Sequence, residues 1–264
     1  MHIFDEDILF EQQSRGVFSG EVAENWSING TPNGGYLVAI ATAGLLKSSA
    51  MQHTPVLTAN FIARCAPGKA DLSTWEIDHS RHFTRMEARL IQQGKEKMRM
   101  LGTFTNEAGE CLLKRYEASP PDMAPPEECV QVPLIPKYTM YDNVDVRLDP
   151  SCAGWMENRL RPVSENKGWF SFKTARDYDL CAIAMAADAF PPAVLASHGM
   201  MAWVPTIELS INIRSIPQTR WLKCRFRTRF INCGLLEEDG EIWDENDELV
   251  AISRQIAQLR QAVS

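Results

Sequence analysis

Three polar side chains in the second half of the chain, Asp188, Thr206 and Gln255, are of the types that can hold and activate a water molecule. A carboxylate can take the proton, while a hydroxyl and an amide hold the water in place. Such assistance contributes about 10²–10⁴-fold to a hydrolysis. Asp188 is the lone acid in the apolar run from Leu180 to Phe190. A helix that is apolar all round belongs in a core. An unpaired carboxylate there is costly to ionise, so it stays neutral or finds partners. Two candidate partners follow, Thr206 in Thr206-Ile207-Glu208-Leu209-Ser210-Ile211 and Gln255 at the end of Leu249-Val250-Ala251-Ile252-Ser253-Arg254-Gln255. Gln255 shares a strand face with Leu249, Ala251, Ser253 and Ala257, and an amide on so small and apolar a face needs hydrogen-bond partners.

Each residue also has a plainer reading. Asp188 could be a turn residue leading into Phe190-Pro191-Pro192, although an acid at a helix C-terminus opposes the macrodipole. Thr206 could be an ordinary β-branched strand residue. Asn33-Gly34-Gly35 reads as a turn before a helix, or as a helix start whose N–H groups bind a thioester oxyanion. Lys223, Arg225, Arg227 and Arg229 form a basic strand face that could attract phosphates or simply be solvated. Among the five histidines, His79 and His82 flank Arg81 near a strand start and His198 lies beside Gly199. No His or Cys spacing suggests a metal. There is no Gly-x-Ser-x-Gly elbow, and no Gly-x-Gly-x-x-Gly or phosphate-loop pattern.

The elements that must carry these residues occur twice. Residues 16–22 read as a strand, Tyr36 to Leu46 as a buried helix, and 56–64, 70–79, 83–93 and 96–105 as strands, with a hairpin turn at 93–95. Residues 168–174, the Leu180–Phe190 helix, and strands near 204–213, 219–231, 234–244 and 249–259 repeat that order about 150 residues later, which points to a duplicated unit. Alternation puts Ile207, Leu209, Ile211 and Ile213 on one face, and Thr206, Glu208, Ser210 and Asn212 on the other. Prolines 120, 121, 125 and 126 mark a connector that cannot continue a sheet or helix and is expected to cross the surface. The division is therefore an N-terminal domain over 1–118, a Pro-rich linker over 119–139, and a C-terminal domain over 140–264. One long helix per antiparallel sheet makes the class α+β, with the two helices expected on separate sheets. The first helix lacks an acid, so only the second half is expected to supply a base.

Composition narrows the classes. An apolar fraction of 45% supports a sizeable core. No apolar run reaches about 18 residues, so no membrane span is expected. The acidic N-terminus lacks a signal-peptide order. Seven cysteines with no Cys-x-x-Cys pair favour reduced thiols and a cytoplasmic location. A net charge of −7 argues against nucleic acid as a partner.

Over 180–260, and in element order along nearly the whole chain, the sequence resembles the acyl-CoA thioesterase II family. The match rests on Ala187-Asp188, Thr206-Ile207-Glu208 with Ser210, Leu249-Val250-Ala251 with Gln255, and Asn33-Gly34-Gly35-Tyr36. The resemblance implies a tandem double hotdog, each half a long helix wrapped by a curved antiparallel sheet. It implies hydrolysis of acyl-CoA by a water that Asp188, Thr206 and Gln255 orient, with Asn33, Gly34 and Gly35 at the substrate. It implies no metal or organic cofactor, and a homodimer. Glu208 stands where relatives often carry Asp, and Ile252-Ser253-Arg254 replaces a small-residue run. Two rivals are a non-catalytic acyl-CoA or lipid-binding hotdog protein, and a hotdog enoyl-CoA hydratase, which would need a His close to Asp188.

Overall fold

The computed structural model describes residues 1–106, 113–200 and 202–261. Its first half runs β1 (Val17–Val22), α1 (Gly34–Ser48), β2 (His53–Phe61), β3 (Gly68–His79), β4 (Phe83–Gln92) and β5 (Lys95–Thr105). The second half repeats this as β6 (Ser164–Phe172), α2 (Leu180–Ala186), β7 (Thr206–Ile213), β8 (Leu222–Thr228), β9 (Leu235–Asp244) and β10 (Leu249–Gln258). Toward the middle of the sheet, the first half orders these strands β1-β3-β4-β5-β2 and the second β6-β8-β9-β10-β7, with residues 11–14 outside β1 and residues 144–148 and 130–131 outside β6. The two patterns are the same.

The expectation of separate sheets needs correcting. β2 and β7 pair antiparallel, Glu208 opposite Asn60 through Asn212 opposite Val56, and join the halves in one 14-stranded sheet. Across this seam the Thr58 and Ser210 hydroxyls lie 3.3 Å apart. A strand edge exposed in either half alone would offer unpaired backbone groups; here each edge completes the other.

α1 forms because Asn33 caps it, its side-chain oxygen accepting the Tyr36 N–H at 3.1 Å. Its residues from Gly35 to Thr42 are all buried, as an all-round apolar helix requires. Side chains such as Leu37, Ile40 and Leu45 each contribute about 1.5–3 kcal/mol by leaving water. α2 is shorter than the apolar run suggests. It stops at Ala186, with Ala187 as its C-cap, because Pro191 and Pro192 lie just ahead and the chain must leave the helix before them. Asp188 therefore sits in the turn after the helix rather than within it.

The connector is also more than a surface crossing. Ala124 is held by the Asp149 carboxylate at 2.8 Å and by the Trp169 indole N–H at 2.8 Å. Val132 is buried, and Ile135 and Tyr138 help to wall a cavity. The prolines keep residues 120–126 out of the ladder. Further along the chain, however, the expectation that the connector continues no sheet is corrected: Val130 and Gln131 pair antiparallel with Leu148 and Arg147 at the sheet edge.

Candidate functional site

The cavity has a volume of about 700 Å³ and lies between the two halves. Leu37, Phe61, Met140, Trp155, Phe190 and Leu195 give it apolar walls, and Asn33, Gly34, Asp188, Thr206 and Gln255 all line it. The structure thus brings together the catalytic candidates Asp188, Thr206 and Gln255 with Asn33 and Gly34, while Gly35 supports the site from behind.

Asp188 is fixed by the start of α1. Its Oδ2 accepts the Gly35 N–H at 3.0 Å and the Asn33 side-chain amide at 3.1 Å, and the same amide donates to the Asp188 carbonyl at 2.7 Å. Both glycines are required by contact. A β-carbon on Gly34 would lie 2.8 Å from Asp188 Oδ2, and one on Gly35 2.8 Å from the carbonyls of Ala184 and Met185. The start of α1 can approach the end of α2 this closely only because neither residue carries a side chain. An anion at a helix N-terminus is favoured, which offsets the unfavourable end of α2 on which Asp188 stands. Burial nevertheless prevails and pushes the carboxyl up to about 6, with the Gly35, Gly34 and Asn33 donors restraining the rise. Tyr141, buried beside it, donates to the Ala189 carbonyl at 3.3 Å.

Thr206 reaches the cavity through a β-bulge. Simple alternation puts it on the outer face with Glu208. The register shifts between Thr206 and Glu208, so that Thr206 lies opposite Ala257 and Leu209 opposite Gln255. The extra residue turns Thr206 inward, the re-aiming that bulges often perform beside sites. Its hydroxyl donates to Gln255 Oε1 at 3.1 Å.

Gln255 has the partners its buried amide demands, Thr206 on one side and Glu238 on the other, whose Oε1 accepts Gln255 Nε2 at 3.1 Å. Sequence patterning alone passes over Glu238. The run Leu235-Leu236-Glu237-Glu238-Asp239 looks solvated. The signal lay in the inward alternation of Leu236, Glu238, Gly240 and Ile242.

The basic face on β8 is neutralised. Lys223 pairs with Asp247, Arg225 with Glu241 at 2.6 Å, Arg227 with Glu241 at 3.6 Å, and Arg229 with Asp239. Arg64 and Arg260 instead line the cavity, and among the described residues neither pairs with a carboxylate. No histidine lines it. Among the described residues no group of three His, Cys, Asp or Glu side chains is placed to hold a metal, and no helix is long and apolar enough to cross a membrane.

Models of the N-terminal and C-terminal domains of acyl-CoA thioesterases match residues 22–105 and 126–259. The chain belongs to the acyl-CoA thioesterase family. Solved structures agree on the architecture of this family member. A candidate thioesterase II from Thermobifida fusca YX is 25% identical, with a TM-score of 0.90 over 99% of this chain and 98% of that one. A hot dog fold protein of unknown function from Alicyclobacillus acidocaldarius is 19% identical, with a TM-score of 0.90 over the whole of both chains. An acyl-CoA thioesterase II from Mycobacterium marinum is 16% identical, with a TM-score of 0.78 over 98% and 99%. No curated protein matches the chain in sequence. The fold is α+β, a tandem double hotdog.

Proposed function

We propose that this thioesterase-family protein hydrolyses an acyl-CoA thioester to a free acid and coenzyme A. The observation that carries the reading is the anchoring of Asp188. One carboxylate oxygen is held by the start of α1, while the cavity that Asp188 lines also presents the Thr206–Gln255 pair. A carboxyl near 6 is ionised at neutral pH and still basic enough to take a proton from water. Thr206 gives its proton to Gln255, so its oxygen lone pairs can receive a hydrogen of that water. The water attacks the thioester carbonyl as Asp188 takes its proton. The tetrahedral intermediate then collapses, the C–S bond breaks, and Asp188 returns the proton to the departing thiolate. The positive end of α1 then serves two charges in turn: the carboxylate at rest, and the developing oxyanion once Asp188 is neutral. Apolar walls suit an acyl chain, and the unpaired Arg64 and Arg260 suit an anionic carrier.

The absence of a lining histidine weighs against the hydratase reading. The same reading takes 1–118 and 140–264 as the two domains, 119–139 as their linker, and a homodimer in the cytoplasm as the working state. The six described cysteines are free thiols, which suits a reducing compartment. Thiol release across short, medium, long and aromatic acyl-CoAs tests the activity. Turnover of at least one class is expected. Tight acyl-CoA binding with no thiol released would leave a binding protein instead.

A further inference from the structure

Behind the Thr206–Gln255 pair stands a carboxyl for which the reaction above has no use. Glu238 faces Gln255 directly across the β9–β10 ladder and is only 6% exposed. Both of its oxygens are occupied. Oε1 accepts the Gln255 amide, and Oε2 accepts the backbone N–H of Ala193. Ala193 closes the short segment that leaves Asp188, in which Phe190, Pro191 and Pro192 wall the cavity. Asn166 holds the same segment, its amide donating to the Pro191 carbonyl at 2.9 Å. Glu238 thus ties the strand that carries Gln255 to the segment that carries Asp188.

A side-chain amide has a donor end and an acceptor end, and it can sit either way round. By accepting from Gln255 Nε2, Glu238 leaves Oε1 turned toward Thr206, and this commits the threonine proton to Gln255. A leucine at this inward strand position would bury more cheaply, since an isolated buried carboxyl is costly without its bonds. We propose that Glu238 is a positioning residue: it fixes the orientation of the Gln255 amide and the course of residues 189–193, and so sets Thr206 and Gln255 against Asp188. Burial and the nearby Asp188 charge push the Glu238 carboxyl up to about 8, while the Ala193 N–H and the Gln255 amide that donate to it restrain the rise.

This proposal rests on the hydrolytic reading, and the test separates the two. Glu238→Gln places a second amide where two N–H groups need acceptors, at nearly constant volume. It should lower kcat by about 10-fold to 10²-fold, the scale of a small misplacement, with KM changed less than about 2-fold. In a Gln255→Ala background the same substitution should lower kcat by less, only the part that runs through residues 189–193. A folded Glu238→Gln protein with wild-type kcat, or an equal loss in both backgrounds, overturns the proposal while leaving hydrolysis standing. A wild-type protein that releases no thiol overturns both readings. Should the variant not fold, the wild-type protein still answers. The Gln255 side-chain N–H signals, assigned by their loss in Gln255→Ala, should exchange slowly with solvent. Fast exchange overturns the proposal.

Discussion

Asn33 starts α1 by accepting the Tyr36 N–H at 3.1 Å, and Asp179 starts α2 by accepting the Ala182 N–H at 2.8 Å. Both are good N-caps. Their surroundings differ. The start of α1 is capped by a neutral amide and faces the Asp188 carboxylate of the other half. The start of α2 is capped by an anion, which Arg176 covers at 2.6 Å while also reaching Asp5 and lying over the ring of Phe4. One helix end keeps its positive potential available to a site, and the other has it quenched by its own cap. A duplicated motif can therefore serve chemistry in one copy and stability in the other by exchanging an amide for a carboxylate.

Removing the base has the largest expected effect. Asp188→Asn should lower kcat by about 10²-fold or more while keeping the fold. The contrast between the two helix starts also sets a pH signature. Asp188 ionises near 6 in the folded protein, so wild-type kcat should rise with pH through that value. Because the folded pKa lies above the unfolded value, the stability linked to this group is complete below about pH 4 and is lost as pH rises through about 6. The asparagine variant escapes that loss. It should be the more stable protein at pH 8, by up to about 2–3 kcal/mol, with the gap closing toward pH 4. Denaturant titrations at the two pH values read this directly.

Next comes a swap of caps. Asn33→Asp gives α1 the cap type of α2 and sets a second carboxylate beside Asp188 Oδ2. Like charges raise a carboxyl, so the acid limb of the kcat profile should move above 6 and neutral-pH turnover should fall about 10-fold or more. An unmoved limb in a folded protein would show that the uncharged cap does not matter to the base. Smaller losses should follow Thr206→Val and Gln255→Ala, whose combined effect should fall short of their sum because both hold one water. Arg176→Met should affect activity least. It should cost about 1–2 kcal/mol of stability, since its acidic partners are partly solvated, and leave kcat within about 2-fold.

The duplication, the order of elements along each repeat and the choice of Asp188, Thr206 and Gln255 as candidates were legible because they depend on periodicity and on polar residues in apolar runs. Other features are set by contacts between distant segments. Alternation misplaces Thr206 because a bulge carries no reliable local signal. The apolar run overstates α2 because Ala187, Ala189 and Phe190 are buried without being helical. The β2–β7 seam joins strands about 150 residues apart, beyond any local pattern. The Asn33-Gly34-Gly35 turn was readable as a helix start, but not that its N–H groups would be directed at a carboxylate from the other repeat.

The seam has a consequence for descent. In a symmetric pair of identical subunits every substitution appears twice, so a change that helps one copy of a site is imposed on the other. Here the two repeats are joined in one chain and one sheet, and each can drift alone. Thr42 stands as far from the start of α1 as Asp188 stands from the start of α2, and it gives its hydroxyl to the Val38 carbonyl at 2.8 Å as a buried core residue. The position that carries the carboxylate in one repeat has been released to packing in the other. Within one chain the two repeats can take different parts in a single site.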